Sequence, residues 1–154
     1  MEIKLHDVIS ARPALERLFS CSPKKAKDTF RLARIQREVQ PIVADYETAR
    51  VALLEKYASR DPEKRERFRF IKLDDDGEPI LDDQGNTIKD DEAIEAFTRE
   101  HDDELLKEDV EINQHITLTF IDRTGLDPAM TPVEMASLWW LVKEFQEDTK
   151  IEDD

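Results

Sequence analysis

The stretch PKKAKDTFRLARIQREVQPIVADYETARVALLEKYAS, residues 23–59, decides the fold of this chain. Its apolar residues recur at steps of three and four, which is the spacing of a coiled-coil seam. They are Leu32, Ile35, Val39, Ile42, Tyr46, Ala49, Leu53 and Tyr57. Ser22 and Pro23 are a helix-start signal, and Pro41 should kink the helix or split it in two. Such a seam needs a cover, either elsewhere in the chain or on another copy, so a homodimer is one expectation.

The flanking sequence predicts shorter elements around this helix. An amphipathic helix is predicted near residues 10–19, and Asp90 or Asp91 should cap a further helix. Alternation over 110–120 predicts a strand, and Thr131, Pro132 and Glu134 form a capping-box signal for the last helix. The buried face of that helix should carry Met135, Leu138, Trp139, Val142 and Phe145.

These elements predict one mainly α, α+β domain over residues 1–154. A long kinked helix would pack against shorter helices, with a small β-hairpin or sheet at one end. The helical part should cover 7–59 and 90–147, with a turn-rich β-arm at 68–89 and an acidic tail at 148–154. We identify no internal repeat in the sequence.

Composition argues against several classes of protein. The chain has 154 residues, of which 37 are acidic and 23 basic, giving a formal charge of −14. A generic nucleic-acid binder or an anionic-membrane binder needs cationic surface, so neither class fits. No apolar run is long enough for a transmembrane helix, and the first residues lack the apolar region of a signal peptide. The single cysteine, Cys21, rules out an internal disulfide framework and fits a reducing compartment.

Charge is separated along the chain. Residues 21–40 contain six basic and two acidic residues, and the basic stripe comprises Lys24, Lys27, Arg31 and Arg34. Residues 74–114 contain seventeen acidic and three basic residues, a net charge of −14. We interpret the stripe either as docking against the acidic half of this protein or as a solvated face.

No set of residues points to catalysis or to a cofactor. The run Asp74-Asp75-Asp76-Gly77 suggests a calcium loop, but Lys72 would then occupy the first ligand position, so a polar turn fits better. His101 and His115 lack the spacing of a metal site, so we expect His101 to be a partly buried residue at the edge of its helix. Cys21 lacks an identifiable base, so we expect its thiol to be a small buried group. The sequence therefore predicts a protein that is not an enzyme, with no catalytic, cofactor-binding or metal-binding residues.

The acidic segment is either a solvated surface or a binding face for a protein partner, and Trp140 either covers a wide core or anchors an interface. The aspartates on the predicted turns are the reachable part of the acidic segment and would face a basic protein partner. Trp140 should lie at the margin of the last helix, where a tryptophan can anchor an interface. The candidate partner-binding residues are Asp74, Asp75, Asp76, Asp82, Asp83 and Trp140.

Four segments together carry a family resemblance. They are LHDVISARPALERLF (5–19), ADYETARVALLEKY (44–57), REHDDELLKEDVEI (99–112) and MTPVEMASLWWLVKEF (130–145). In this order they resemble a family of small proteins of uncharacterised function encoded in tailed-phage and prophage genomes. The resemblance implies a phage protein in the host bacterial cytoplasm or in the virion, most simply a non-enzymatic structural or assembly accessory. The alternative is an acidic host-takeover or anti-defence inhibitor that occupies a basic nucleic-acid-binding groove of a bacterial protein.

Overall fold

A computed structural model describes the backbone of residues 1–149 and the side chains of residues 1–147. Its helices and two small antiparallel sheets confirm the predicted mainly α, α+β fold class. The predicted acidic tail, 148–154, lies outside the described side chains. The elements in chain order are β1 (Glu2–Lys4), α1 (Leu5–Ser10), α2 (Arg12–Phe19), α3 (Ala26–Tyr57), β2 (Ser59–Arg60), β3 (Phe68–Arg69), α4 (Asp91–Thr98), a π-helix (Arg99–Glu104), a 3-10 turn (Leu105–Lys107), β4 (Asp109–Glu111), α5 (Leu118–Arg123), α6 (Pro132–Ser137) and α7 (Lys143–Thr149).

The chain divides into two compact units. Unit 1 contains residues 1–44 together with those from 108 onward, and unit 2 contains residues 45–107. The long helix α3 runs without a break through Pro41, so the alternative in which this proline splits it is wrong. The first part of α3 belongs to unit 1 and its remainder to unit 2.

The core of unit 1 is built on the seam of α3. Leu32, Ile35 and Val39 are buried there together with residues of α1, α2, α5 and the segment 138–142. The strands β1 and β4 pair antiparallel beside this core, with Ile3 opposite Val110. The chain itself buries this part of the seam, whereas Ile42, Ala49 and Leu53 farther along are half-buried, and the homodimer stays a prediction.

Two predicted elements of unit 1, the first helix and the strand over 110–120, were wrong in part. The first helix is two helices, α1 and α2, and the second carries Pro13 in its first turn. The predicted strand over 110–120 ends at Glu111. From Leu118 the chain is helical instead, since the Thr117 hydroxyl accepts a hydrogen bond from the Phe120 amide at 3.1 Å and caps α5.

The last predicted helix begins where expected but is shorter. The capping box of Thr131 and Glu134 is present, with both reciprocal hydrogen bonds formed. Helix α6 ends at Ser137 and is followed by a turn over residues 138–142. The Leu141 carbonyl of this turn accepts a hydrogen bond from the Ile116 amide at 2.9 Å. This turn changes the direction in which the following side chains point.

Two buried or half-buried ion pairs tie helices of unit 1 together. Arg17 of α2 donates to both carboxylate oxygens of Glu134, at 2.7 and 2.9 Å. Asp28, at the start of α3, is buried and accepts two hydrogen bonds from the guanidinium of Arg123 at 3.0 and 3.3 Å. Each pair joins residues about a hundred positions apart in sequence, so each fixes the packing of separate elements.

Unit 2 has a smaller core. Tyr46 and Leu54 of α3 are buried, and β2 pairs with β3 antiparallel. The ring of Phe97 meets Phe70 edge to face and stacks on His101, with a centroid separation of 5.3 Å in each pair. Asp90 caps α4 as predicted, because its carboxylate accepts a hydrogen bond from the Ala93 amide at 3.1 Å.

Candidate protein-binding surface

The most unusual feature of unit 2 is the segment 71–90, which we call the arm. It contains two consecutive eight-residue units, LDDDGEPI at 73–80 and LDDQGNTI at 81–88. The absence of an internal repeat that we inferred from the sequence is therefore wrong. The unit is too short and too rich in common turn residues to stand out before its backbone is seen.

The two units form the same turn. Asp74 accepts hydrogen bonds through Oδ1 from the amides of residues 76 and 78, at 3.0 and 2.9 Å. Asp82 repeats this with the amides of residues 84 and 86, at 2.9 Å each. Gly77 and Gly85 both have φ of +81°, a conformation that favours glycine. The predicted polar turn at Asp74 is confirmed, and the Asp74 carboxylate accepts hydrogen bonds from the backbone amides of that turn.

Three backbone hydrogen bonds close the arm into a ring. The Ile80 amide donates to the Lys72 carbonyl at 3.0 Å, the Ile88 amide to the Ile80 carbonyl at 3.3 Å, and the Lys72 amide to the Ile88 carbonyl at 2.8 Å. These three residues are spaced by eight positions. Three β-bridges accompany them: Leu73 with Pro79, Leu81 with Thr87, and Lys89 with Ile71. The first-named residues of these bridges again follow one another at intervals of eight positions.

The arm exposes apolar side chains among its carboxylates. The side chains of Leu73, Ile80 and Leu81 are exposed, Leu81 to 56%. The five candidate aspartates, Asp74, Asp75, Asp76, Asp82 and Asp83, are also exposed. Within residues 1–149 no ion pair holds any of these five carboxylates. The structure thus gathers the five on one rigid element and adds three apolar residues that the sequence analysis did not single out.

Trp140, the sixth candidate, is not on any surface. Its side chain is fully buried in the core of unit 1, so the predicted marginal position is wrong. The cause is the early end of α6, after which the turn at 138–142 directs Trp140 inward and leaves Trp139 half-buried. Sequence periodicity assumed one continuous helix and therefore assigned the two rings the wrong way round.

The π-helix of unit 2 holds a second cluster of polar groups. His101 contacts the Tyr46 hydroxyl through Nε2 at 2.8 Å and Asp102 through Nδ1 at 2.6 Å. Its side chain is 14% exposed, which confirms the expected partly buried edge histidine. The neighbouring Glu100 binds Lys56 at 2.6 Å and also accepts from the Tyr57 hydroxyl. These two hydrogen bonds lower the pKa of Glu100 below its usual value.

This cluster ties the π-helix to α3 within unit 2. Both ring nitrogens of His101 are engaged by groups of the protein, as in a structural link. In the described part of the chain, no three or more histidine, cysteine, aspartate or glutamate side chains are placed to hold a metal ion.

Cys21 lies in unit 1 beside a polar cavity of about 380 Å³. Arg17, Ser20, Thr124 and Asp127 contribute to the lining. The thiol is half-buried, packs against the core, and contacts the Arg17 carbonyl oxygen at 3.4 Å. This environment agrees with the expected packing role of a small apolar side chain.

Comparison with protein-family models, curated proteins and solved structures finds no match to this chain. Among the described residues, no helix is both long enough and apolar enough to cross a bilayer.

Proposed function

We propose that this protein is a non-enzymatic interaction protein, a structural or assembly accessory of a phage, and that the arm is the surface that contacts its protein partner. The observation that carries the proposal is the exposure of Leu73, Ile80 and Leu81 on an element whose turns are fixed by backbone hydrogen bonds. Apolar side chains bordered by polar groups are typical of an interaction site. Preorganised turns reduce the entropy lost on binding.

The charge of the arm defines the partner. Five exposed aspartates border the apolar residues, so the partner should present basic side chains around an apolar centre. Such a pairing raises the association rate and makes it sensitive to salt, because exposed charges are screened within about 10 Å at 0.1 M ionic strength.

The phage context rests on the resemblance carried by four segments of the sequence. The site of action is accordingly the host bacterial cytoplasm or the virion.

A second candidate function follows from the two acidic turns, which have the same backbone hydrogen bonds. Carboxylates repeated at a fixed interval can replace phosphates in a basic groove, so the arm could inhibit a bacterial nucleic-acid-binding protein. The exposed Leu73 and Leu81 favour the accessory function instead, because a groove that reads phosphates does not need an apolar contact.

Site-specific photo-crosslinking tests the proposal. A photoreactive residue would replace Leu81 in the full chain, and a matched variant would carry it at Val133, which is 81% exposed on α6. We expect a saturable crosslink from position 81, lost at high salt, to a protein that position 133 does not capture. A phage structural protein supports the accessory function, and a host nucleic-acid-binding protein displaced by duplex DNA supports the alternative. Equal crosslinking from both positions, or none from position 81, would contradict the proposal that the arm is the partner-binding surface.

A further inference from the structure

A second surface with the opposite charge lies on the first part of α3, in unit 1. We call it the basic patch and define it as Lys27, Phe30, Arg31, Arg34 and Arg37, all of which are exposed. At 100° per residue these side chains share one side of the helix, opposite the face that buries Leu32, Ile35 and Val39. Phe30, Arg34 and Arg37 therefore point away from the core of their own unit. Arg31 lies at the edge of the patch, where it donates a hydrogen bond to the His115 carbonyl at 2.8 Å.

The patch has four basic side chains and one neighbouring carboxylate, Glu38, which also accepts a hydrogen bond from the Asn113 amide, so its net charge is positive. Asp28, the one acidic residue between Lys24 and Arg37, is turned into the protein and paired with Arg123 at 3.0 Å. Arg31 and Arg34 lie over the rings of Phe120 and Phe30, with distances of 5.5 and 5.9 Å to the ring centroids. These ring contacts orient the guanidinium groups without removing their charge.

Phe30 gives the patch an apolar centre. Its side chain is 59% exposed. The arm has the same organisation with the charge reversed, because Leu81 is bordered by Asp82 and Asp83. An apolar centre with an acidic border and an apolar centre with a basic border are complementary in both packing and charge.

We propose that the arm of one copy of this chain docks on the basic patch of a second copy, with Leu81 against Phe30 and the aspartates against the arginines. The inference rests on the proposed function, since it names the partner of the arm. It uses surfaces other than the buried seam of α3, and it gives both charged segments of the sequence a single role.

The geometry of this contact is head-to-tail. The two surfaces differ, so a copy whose arm is occupied still has a free patch, and growth continues unless a ring closes. The two surfaces are small, which predicts weak binding that is apparent only at high protein concentration. Salt should weaken it further, because exposed charges make the contact.

Sedimentation equilibrium of the full chain provides the first measurement. At up to about 0.5 mM protein and about 20 mM salt, we expect the weight-average mass to rise with concentration above the chain mass of 18.0 kDa. At about 0.5 M salt it should return to the chain mass.

Two defective variants then locate the contact. The arm variant is Asp75→Asn/Leu81→Ser/Asp83→Asn, which spares the turn-forming Asp74 and Asp82. The patch variant is Lys27→Gln/Phe30→Ser/Arg34→Gln, and Lys64→Gln/Arg65→Gln is a control at exposed basic residues outside the patch. Each defective variant alone should remain at the chain mass, and the control should associate like the unmodified chain.

Mixing the two defective variants gives the decisive result. Each supplies the surface that the other lacks, so an equal mixture should form a complex of twice the chain mass and nothing larger. The circular dichroism of each variant should match that of the unmodified chain, because the substituted side chains are exposed.

A single mass of 18.0 kDa for the unmodified chain under all conditions would overturn the self-association. Unchanged association of either defective variant, or a mixture that stays monomeric, would overturn the assignment of the two surfaces. The proposed function fails separately, through the loss of crosslinking at position 81. A monomeric chain that still crosslinks there to another protein would reject the second copy and leave the arm as a docking surface for that protein.

Discussion

At the scale of single residues, the buried carboxylate of Asp28 in unit 1 depends on a cationic partner. It is 4% exposed, and the guanidinium of Arg123 supplies its two side-chain hydrogen bonds. Removing the cation would leave a buried charge without its partner, which is more costly than the loss of an exposed pair.

We therefore expect Arg123→Met to lower the free energy of unfolding by about 2 kcal/mol, less than for a fully buried pair because Arg123 is itself partly exposed. Urea denaturation followed by circular dichroism would measure the loss. Arg37→Met, at an exposed position of α3, is the matched control and should change the stability little. Equal stabilities of the two variants would show that Asp28 does not depend on Arg123.

His115 predicts a pH dependence of stability. Burial lowers its pKa below the usual value of 6.5, and the N-terminal ammonium, Lys143 and Arg31 act in the same direction against the opposing effect of Glu38. The unfolded chain therefore binds a proton at this residue more readily than the folded chain does. Its contribution to stability is present above pH 6.5 and is lost as the pH falls through 6.5 toward the lower folded-state value.

The expected result is a lower urea midpoint at pH 5.5 than at pH 7.5, with a smaller difference in His115→Gln. His6→Gln, which removes an exposed histidine, controls for the general effect of losing a titratable ring. If His115→Gln keeps the full pH dependence of the unmodified chain, another group is responsible for it.

At the scale of elements, the arm depends on its two glycines. Both lie at φ of +81°, where a side chain is strained, although open space surrounds each position. We expect Gly77→Ala and Gly85→Ala each to destabilise the arm by about 1 kcal/mol. The effect should appear as faster hydrogen exchange at the amides of Ile80 and Ile88, which the ring protects.

Asn86→Ala is the control for this prediction, because among the described hydrogen bonds residue 86 takes part in the turn only through its backbone amide and carbonyl. Its exchange rates at Ile80 and Ile88 should match those of the unmodified chain. Unchanged exchange in both glycine variants would mean that the ring does not depend on the left-handed turns.

The elements also show which sequence signals are sufficient. Helix α3 and the capping box of α6 could be predicted, because the spacing of the seam and the side chains of Thr131 and Glu134 act locally. The helix at Leu118–Arg123 could not, since its apolar residues alternate as in a strand and only the cap at Thr117 decides otherwise. The inward position of Trp140 follows from a turn that residues distant in sequence stabilise, which periodicity does not reveal.

The candidate surface was predictable to a similar extent. Its five aspartates are recognisable as turn residues, and the structure places them on turns. The exposure of Leu73 and Leu81 could not be predicted, because alternating apolar residues in a short segment usually indicate one buried face.

At the scale of the whole molecule, the net charge of −14 opposes compaction through self-repulsion. Between about 20 mM and about 0.5 M sodium chloride, we expect the free energy of unfolding to rise by about 1 kcal/mol as this repulsion is screened. The measurement requires micromolar protein, so that association does not contribute. The variant Asp75→Asn/Asp76→Asn/Asp83→Asn, with three fewer negative charges, should respond less to salt. A stability that falls with salt in the unmodified chain would indicate that attractive ion pairs dominate over repulsion.

The closed ring of the arm has a consequence for how this gene can change. A tandem repeat normally gains or loses whole units by slippage during replication, and open repeat arrays tolerate this because each unit contacts only its neighbours. Here the backbone groups of Lys72, Ile80 and Ile88 satisfy one another in a circle, so an added or deleted octapeptide would leave a donor and an acceptor without partners. The closure of the ring therefore keeps the number of octapeptide units at two. Divergent versions of this arm should differ in the side chains they display and keep the same length.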